Sequence, residues 1–499
     1  MPAAYAGDRP LHSRYNPQGE AEKYIRSLEL APDIRFFILP EPGLGYIIPP
    51  LRQRFPQAKI IVLHLSDFFT DPGGGISPFP EGPSSAVWSP GSGIGLQQFL
   101  ENEIPDTEAK TVKIIQWRPA LAAYGEGYLR LLTETADFIK RIDANKRTVR
   151  GFGLRWVRNF FRNIRLLRSI VTYPPLSRPV IVTGAGPSLE ESIPLIGEVT
   201  KRGGLILAAS SSVPALATGG LAPDLVISTD GGGWALFHLY EGLRRGRGKK
   251  TPPFDLAAGL NAALPSQCGE LPLLPISDGS LWQDLILRRL GIPFTALPQR
   301  GTVTASALDL AFFLTRGRVF IAGVDLSHRD IRTHARPYSF ERFQEEGASR
   351  FCPVYTQDFL RSRAIASGGS HGIYASWFSR QLAAYPGRLF SLGKNHSLFG
   401  GLKIREGTDL DTGGDLPRGV PRKFWINRED LTGRAAALLF DALNDEKTAA
   451  ALTGELAPLV LPDQETPGPA LLRQALSPIL KAYLPAWKDP EQPQRVAHG

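Results

Sequence analysis

An α/β fold, with a parallel sheet covered by helices on both faces, is predicted by three features of this chain. Short apolar runs alternate with helical stretches through its middle third. A glycine turn, Gly184-Ala185-Gly186-Pro187-Ser188-Leu189, lies directly between one such run and a helix. Polar and acidic residues gather where the runs end, and the carboxyl ends of strands are where open α/β sheets take ligands. Together these describe a Rossmann-like central domain.

The first segment, residues 1–148, reads as an N-terminal Rossmann-like domain. Arg35-Phe-Phe-Ile-Leu39 is a buried strand, Gly43-Leu-Gly45 a turn, and a helical stretch to Phe55 precedes a second strand from Lys59 to Leu65. The second strand ends in Leu63-His64-Leu65, where a carboxylate would be needed to hold a ribose, and Asp67 lies beyond it. This favours a scaffold over an active cofactor site. Asp71 to Gly95 is rich in Gly, Pro and Ser and reads as a loop.

Residues 149–172 form a basic helical connector, the end of a helix running from about Gly127 to Ile170. Trp156, Phe160, Ile164 and Leu167 recur at helical spacing, and Arg155, Arg158, Arg162, Arg165 and Arg168 flank them. A solvated face beside a packing stripe explains these arginines; a docking face for an acidic protein or phosphate is the alternative. No nucleic-acid module accompanies the charge, so nucleic acid is not expected as a partner.

The central domain spans 173–405. Strands are expected at Pro179–Thr183, Leu205–Ser210, Leu225–Thr229, Phe254–Gly259 and Arg318–Ala322, with helices at Leu189–Arg202 and Val303–Leu314. A Gly- and Pro-rich linker, 406–430, separates it from a small helical region, 431–499.

Four features at strand ends carry the chemistry. In the glycine turn, Gly184 and Gly186 let backbone amides approach a phosphate, Pro187 suits a first helical turn, and Ser188 offers a hydroxyl. Ser210, Ser211 and Ser212 follow the second strand, suited to a nucleotide cleft or a plain loop. Asp230 ends the third strand, fit to bind a ribose, a metal or an amine, or to cap a helix. Gly323-Val324-Asp325 ends the last strand and leads into His328, Arg329, Arg332 and His334, a loop dense in groups for acid–base and anion chemistry. His371 and His396 are reserve candidates, whereas His12, His64 and His498 have no motif around them.

Composition bounds the class. Hydrophobic content of 42% and charged content of 21% fit an ordinary globular protein and exclude a disordered one. No apolar run is long enough to span a bilayer, so membrane insertion is not expected. Met1-Pro-Ala-Ala-Tyr5 lacks a secretory pattern, and the only cysteines, Cys268 and Cys352, match no metal or redox spacing. A cytoplasmic setting follows as an expectation. A net charge of +9 favours an anionic ligand or partner.

At these residues the chain resembles a known group. GAGPSLEESI, LAASSSVPALATGGLAPDLVISTD, GTVTASALDLAFFL and RVFIAGVDLSH look like the motility-associated factor (MAF) glycosyltransferases, which modify flagellin with nonulosonic acids. The same stretch is similar to MptE-like 6-hydroxymethylpterin diphosphokinases, and its motifs look like those of CMP-sialic-acid-dependent bacterial sialyltransferases. The helix with Trp156, Asn159 and Asn163 resembles the segment preceding the domain in the flagellin group, and the Gly43-Leu-Gly45-Tyr46 unit resembles that group's N-terminal domain.

The resemblance implies transfer of a nonulosonic acid from a CMP-activated donor to Ser or Thr of flagellin. No further cofactor and no metal are expected. Gly184, Gly186, Pro187, Ser188, Ser210, Ser211, Ser212, Asp230 and Gly323 would hold the nucleotide, and Arg329 and Arg332 a phosphate or carboxylate. His334, His328 and Asp325 would serve catalysis. The competing expectations are a diphosphokinase using ATP and Mg²⁺ on Asp230 and Asp325, and a non-catalytic flagellin-binding protein.

Overall fold

The computed structural model describes residues 4–70, 85–246, 253–366, 374–375, 377–379, 381, 384–385, 387–393, 404–405, 421–426, 430–464 and 467–483. The chain divides into two compact units between Val149 and Arg150. His371, His396 and His498 lie outside the described residues.

In the first unit, a hairpin of β1 (Tyr5–Ala6) and β2 (Arg9–Pro10) precedes α1 (Pro17–Ser27). That helix starts where the Asn16 side chain accepts from the Gly19 amide at 2.8 Å, satisfying one otherwise orphaned donor. Then follow β3 (Phe36–Pro40), α2 (Ile48–Arg54), β4 (Lys59–Leu63), β5 (Ser85–Trp88), α3 (Leu96–Glu103), β6 (Val112–Ile114), α4 (Arg118–Tyr124) and α5 (Glu126–Ile164), whose residues from Arg150 on belong to the second unit. The strands are parallel in the order β5-β4-β3-β6. Phe37, Leu39, Ile60 and Val62 feed one core, while Ile38, Ile61 and Leu63 feed the other. This is the two-residue period of a sheet buried on both faces. β5 falls inside the stretch expected to be loop. Its glycine- and proline-rich surroundings hide it in sequence, and it exists by pairing along β4.

The second unit holds β7 (Ser169–Thr172), β8 (Val180–Thr183), α6 (Leu189–Lys201), β9 (Leu205–Ala209), α7 (Val213–Thr218), β10 (Leu225–Ser228), α8 (Ala235–Gly246), β11 (Asp255–Gly259), β12 (Pro272–Ser277), α9 (Leu281–Arg289), β13 (Thr295–Ala296), α10 (Val303–Leu314), β14 (Val319–Ala322), α11 (Glu341–Glu346), α12 (Val354–Ala366), β15 (Leu389–Leu392), β16 (Ile404–Arg405) and β17 (Arg422–Trp425). Three further helices, Leu431–Asn444, Glu446–Val460 and Pro469–Lys481, close the described chain. The sheet runs β16-β15-β14-β8-β9-β10-β11-β12-β7-β17, with β13 beside β12, and only β17 is antiparallel to its neighbour. Ile181, Ile206 and Val226 face one core, and Val182, Leu207 and Ile227 the other. The α/β fold with helices over a parallel sheet is therefore the one the alternation predicts.

Three boundaries differ from expectation. The connector is not helical to its end: α5 stops at Ile164, and Ser169–Thr172 is a strand of the sheet. Arg422–Trp425, inside the expected linker, is an edge strand on β7. The terminal helices are no separate region, because Leu439, Leu452 and Leu476 sit in one apolar cluster with Ile181, Ile206 and Val226. Among the described residues no helix is long and apolar enough to cross a membrane.

Candidate functional site at the switch point of the sheet

The chain runs from β8 through β9, β10 and β11 to β12 in one direction, then returns to lay β14 on the opposite side of β8. The point where strand order reverses is therefore between β8 and β14, the place where open sheets leave a ligand crevice. The two most distinctive motifs of the sequence, Gly184–Leu189 and Gly323–Asp325, follow these two strands and meet there.

Their meeting is tight. The Gly184 amide donates to the Ala322 carbonyl at 2.8 Å, and the Gly186 amide to the Gly323 carbonyl at 2.8 Å. The Ser188 amide donates to Asp325 Oδ2 at 2.8 Å, and Asp325 is 1% exposed. A Cβ on Gly186 would lie 2.4 Å from that same carboxylate oxygen. Gly323 has φ +65°, a left-handed conformation, and a Cβ there would lie 2.5 Å from the Gly184 carbonyl. The glycines thus permit turn-to-turn packing, and the amides expected to face a phosphate are bonded inside the protein. The Asp325 carboxyl group thus lies at the start of α6, against the Ser188 amide.

The serines divide. Ser212 is fully buried and bonds Thr183 Oγ1 and the Ala209 carbonyl, both at 2.8 Å, so it ties β8 to β9. Ser210 is buried beside it, and Ser211 is half-buried. Ser188 is fully buried with its Oγ unpartnered. Asp230 is exposed after β10 and accepts from the Gly232 amide at 2.7 Å, a bond within its own turn. Pro187 precedes α6 in the turn itself.

The loop after β14 folds back over the glycine turn. The Ala335 amide donates to the Ala185 carbonyl at 2.8 Å, and the Arg336 amide to Glu190 Oε1 at 2.8 Å. Arg332 pairs with Glu190 at 3.3 Å, and Arg329 pairs with Glu191. The two arginines expected to hold a phosphate or sugar carboxylate are therefore held by carboxylates of α6. Leu326 and Asp330 have φ +49° and +53°, so the loop carries backbone strain at non-glycine positions. His328 is half-buried, with its Nδ1 buried and unpartnered. His334 is half-buried, bonds the Thr333 hydroxyl through Nδ1 at 2.9 Å, and stacks on Tyr338 with ring centres 5.7 Å apart.

Sequence reasoning passed over His238. On α8, its Nδ1 meets Ser339 Oγ at 2.9 Å, and burial, then the neighbouring His334, lowers its pKa to about 4. No motif surrounds it; its place on a helix that follows the Asp230 turn was the one available signal. Trp156, Asn159 and Asn163 also gain a role. Asn163 Nδ2 donates to the Leu260 and Ala262 carbonyls at 2.9 and 2.7 Å, and Asn159 Nδ2 to the Asn261 carbonyl at 3.0 Å. A Cβ on Gly231 would lie 2.3 Å from the Trp156 ring. The end of α5 thus fixes the loops after β10 and β11 on the carboxyl edge.

In the first unit the glycine turn is also committed. The Leu44 amide donates to His12 Nε2 at 2.8 Å, and Gly43, at φ +57°, leaves no room for a Cβ beside that ring. A carboxylate does stand at a strand end, but it is Glu41, after β3. It is fully buried, 3.1 Å from His64 Nδ1, and accepts the Leu65 amide at 2.7 Å. Asp67 accepts the Gly91 amide at 2.7 Å.

Residues 155–330 match the family described as 6-hydroxymethylpterin diphosphokinase MptE-like. An uncharacterized protein of Treponema pallidum (strain Nichols) is 27% identical over 316 residues, which is 63% of this chain and 66% of that protein. The match thus spans just under two thirds of that relative's length. A solved structure, that of a MAf glycosyltransferase from Magnetospirillum magneticum AMB-1, aligns over 95% of this chain and 83% of that chain. Its identity is 13% and the TM-score 0.49. The matched residues hold the glycine turn Gly184–Leu189 and the strand-end motif Gly323–Asp325.

Proposed function

We propose that this protein is a transferase that moves a sugar from a nucleotide-activated donor to a hydroxyl acceptor. In its finer form, the donor is a CMP-activated nonulosonic acid and the acceptor a Ser or Thr of a protein, flagellin by the resemblance. The observation that supports it is the convergence, at the switch point between β8 and β14, of the glycine turn with a loop bearing two arginines and two histidines.

The bond between the anomeric carbon and the CMP phosphate breaks, and one between that carbon and the acceptor oxygen forms. The acceptor proton passes to His334, and the leaving phosphate takes the electron pair. Arg329 and Arg332 would stabilise the phosphate or the sugar carboxylate by exchanging Glu191 and Glu190 for the donor. Ser211 and Asp230, at the ends of β9 and β10, are the residues left to orient the nucleotide. Asp325 acts by holding α6 and the turn in place.

The second reading, a pterin diphosphokinase, is favoured by the family match itself. Its magnesium would fall to Asp230 and Asp325, each of which has a carboxylate oxygen bonded to a backbone amide.

One experiment separates the two. Purified protein is given CMP-nonulosonic acid with a protein acceptor, or ATP with a hydroxymethylpterin, each with Mg²⁺ and with excess EDTA. The transferase reading expects sugar transfer that survives EDTA. His334→Ala should lower that turnover by about 10²–10⁴-fold while donor affinity stays nearly unchanged. Pterin pyrophosphorylation lost in EDTA, with no sugar transfer, would replace the first reading by the second. Wild-type turnover in His334→Ala would remove that residue from the mechanism.

A further inference from the structure

The segment between β14 and β15 is built inside out. In α11, Gln344 is 5% exposed and bonded by the Tyr338 hydroxyl, while its neighbour Phe343 is 55% exposed. In α12, Asp358 and Ser362, one turn apart, are 5% and 4% exposed, and Asp358 is 3.5 Å from the Arg336 guanidinium. On other faces of the same helix, Tyr355, Phe359 and Leu360 are 64%, 42% and 58% exposed, and Phe351 just before it is 96% exposed. A helix of a globular protein normally turns its apolar stripe inward and its polar residues to water. Here the most buried of the described side chains in both helices are polar, and large aromatic ones stand mostly in solvent.

From Arg350 to Arg363 the exposed charges are basic. Arg350 precedes Phe351 and is exposed, and Arg363 is exposed with its guanidinium 5.9 Å from the Phe359 ring. Tyr355, Phe359 and Arg363 are spaced four residues apart and so lie along one side of α12. The one carboxylate of the helix, Asp358, is buried on the other side. An aromatic ridge ended by arginines, with no carboxylate beside it on its own helix, complements a segment that is apolar on one face and acidic around it.

We propose that the Phe351–Arg363 ridge is a docking surface for an acidic, amphipathic polypeptide segment of a partner protein. The partner's apolar side chains lie on Tyr355, Phe359 and Leu360, and its carboxylates meet Arg350 and Arg363. This surface is distinct from the strand-end residues of the switch point, and the inference does not rest on the transferase reading.

The test uses the full chain and a fluorescent amphipathic peptide of Leu, Phe and Glu, with a control in which Lys replaces every Glu. Binding is read by anisotropy at low and high salt. The acidic peptide should bind, its affinity should fall with salt, and the lysine peptide should bind far more weakly. Tyr355→Ser combined with Phe359→Ser should weaken binding by about 10-fold or more, as loss of interface anchors does. Arg350→Glu combined with Arg363→Glu should weaken it similarly. All four side chains are exposed, so the variants should keep the wild-type circular dichroism and melting temperature. No binding of the acidic peptide, equal binding of the lysine peptide, or wild-type affinity in either folded double variant overturns the proposal. Sedimentation showing self-association of the wild type that Tyr355→Ser with Phe359→Ser abolishes would also overturn it, by assigning the ridge to a second copy of the chain.

Discussion

At the scale of single residues, two histidines outside every sequence motif, His12 and His238, are held toward the neutral form by burial. His12 accepts the Leu44 amide through Nε2, so its own proton must sit on Nδ1 and the ring must be neutral. Burial lowers its pKa to about 4. Below about pH 6.5 the unfolded chain takes up a proton that the folded chain refuses, so stability rises with pH across that window. Stability should therefore be full above about pH 6.5 and fall toward pH 4 by about 1.4 kcal/mol per unit for this one group. His238 adds to the same trend, its pKa lowered to about 4. Urea unfolding at a series of pH values should show that slope, with a smaller one in His12→Gln. An identical slope in the variant would mean that His12 is not the group responsible. The spacing of residues could not announce this, because the ring's neutrality depends on Gly43 and Leu44 being brought to it from more than one turn away in the chain.

At the scale of elements, the decisive contact is side chain to loop rather than helix to sheet. Asn163 is fully buried and donates twice to backbone carbonyls of the loop after β11. Removing it leaves those carbonyls without a donor that water cannot readily replace. Asn163→Ala should cost about 1–3 kcal/mol, and Asn159→Ala, which loses one such bond, less. Chemical denaturation checks the order; equal stability of the Asn163 variant and wild type would show that the loop is held by something else. The sequence did offer Asn159 and Asn163 on one helical face, but nothing local says which loop they serve. β12 was illegible for a different reason. Pro272 and Pro275 interrupt Pro272–Ser277, and proline, lacking an N–H, argues against an interior strand. Its six residues are nonetheless all buried, between β11 and β7.

At the scale of the whole molecule, the terminal helices are part of the central domain's core. Leu439, Leu456 and Leu476 are fully buried in the cluster that also holds Phe160, Ile206 and Leu256. Truncating a leucine in a packed core costs about 2–5 kcal/mol. Leu439→Ala should therefore destabilise the second unit as strongly as a change in the sheet itself, such as Ile206→Ala. Unfolding followed by hydrogen exchange in β8 and β9 would check it, and a loss confined to the last helices would contradict it. The Gly- and Pro-rich stretch 406–430 suggested a boundary. It marks only a change in local sequence, since burial ignores the distance along the chain between the residues it brings together.

The sequence by itself determined the periodicities: alternating strand and helix, the turn Gly184–Leu189, the helix Val303–Leu314, and the strand-end polar residues. These are readable because strand and helix periods and glycine's missing Cβ are local properties. Tertiary structure alone decided what the motifs touch. It laid β14 beside β8, so that Asp325 rather than a ligand meets the Ser188 amide and Gly186 serves close packing. It also set Glu190 and Glu191 against Arg332 and Arg329, and Glu41 against His64. Each of these pairs joins residues far apart in the chain, and their chemistry comes into being only when the sheet order brings them within bonding distance.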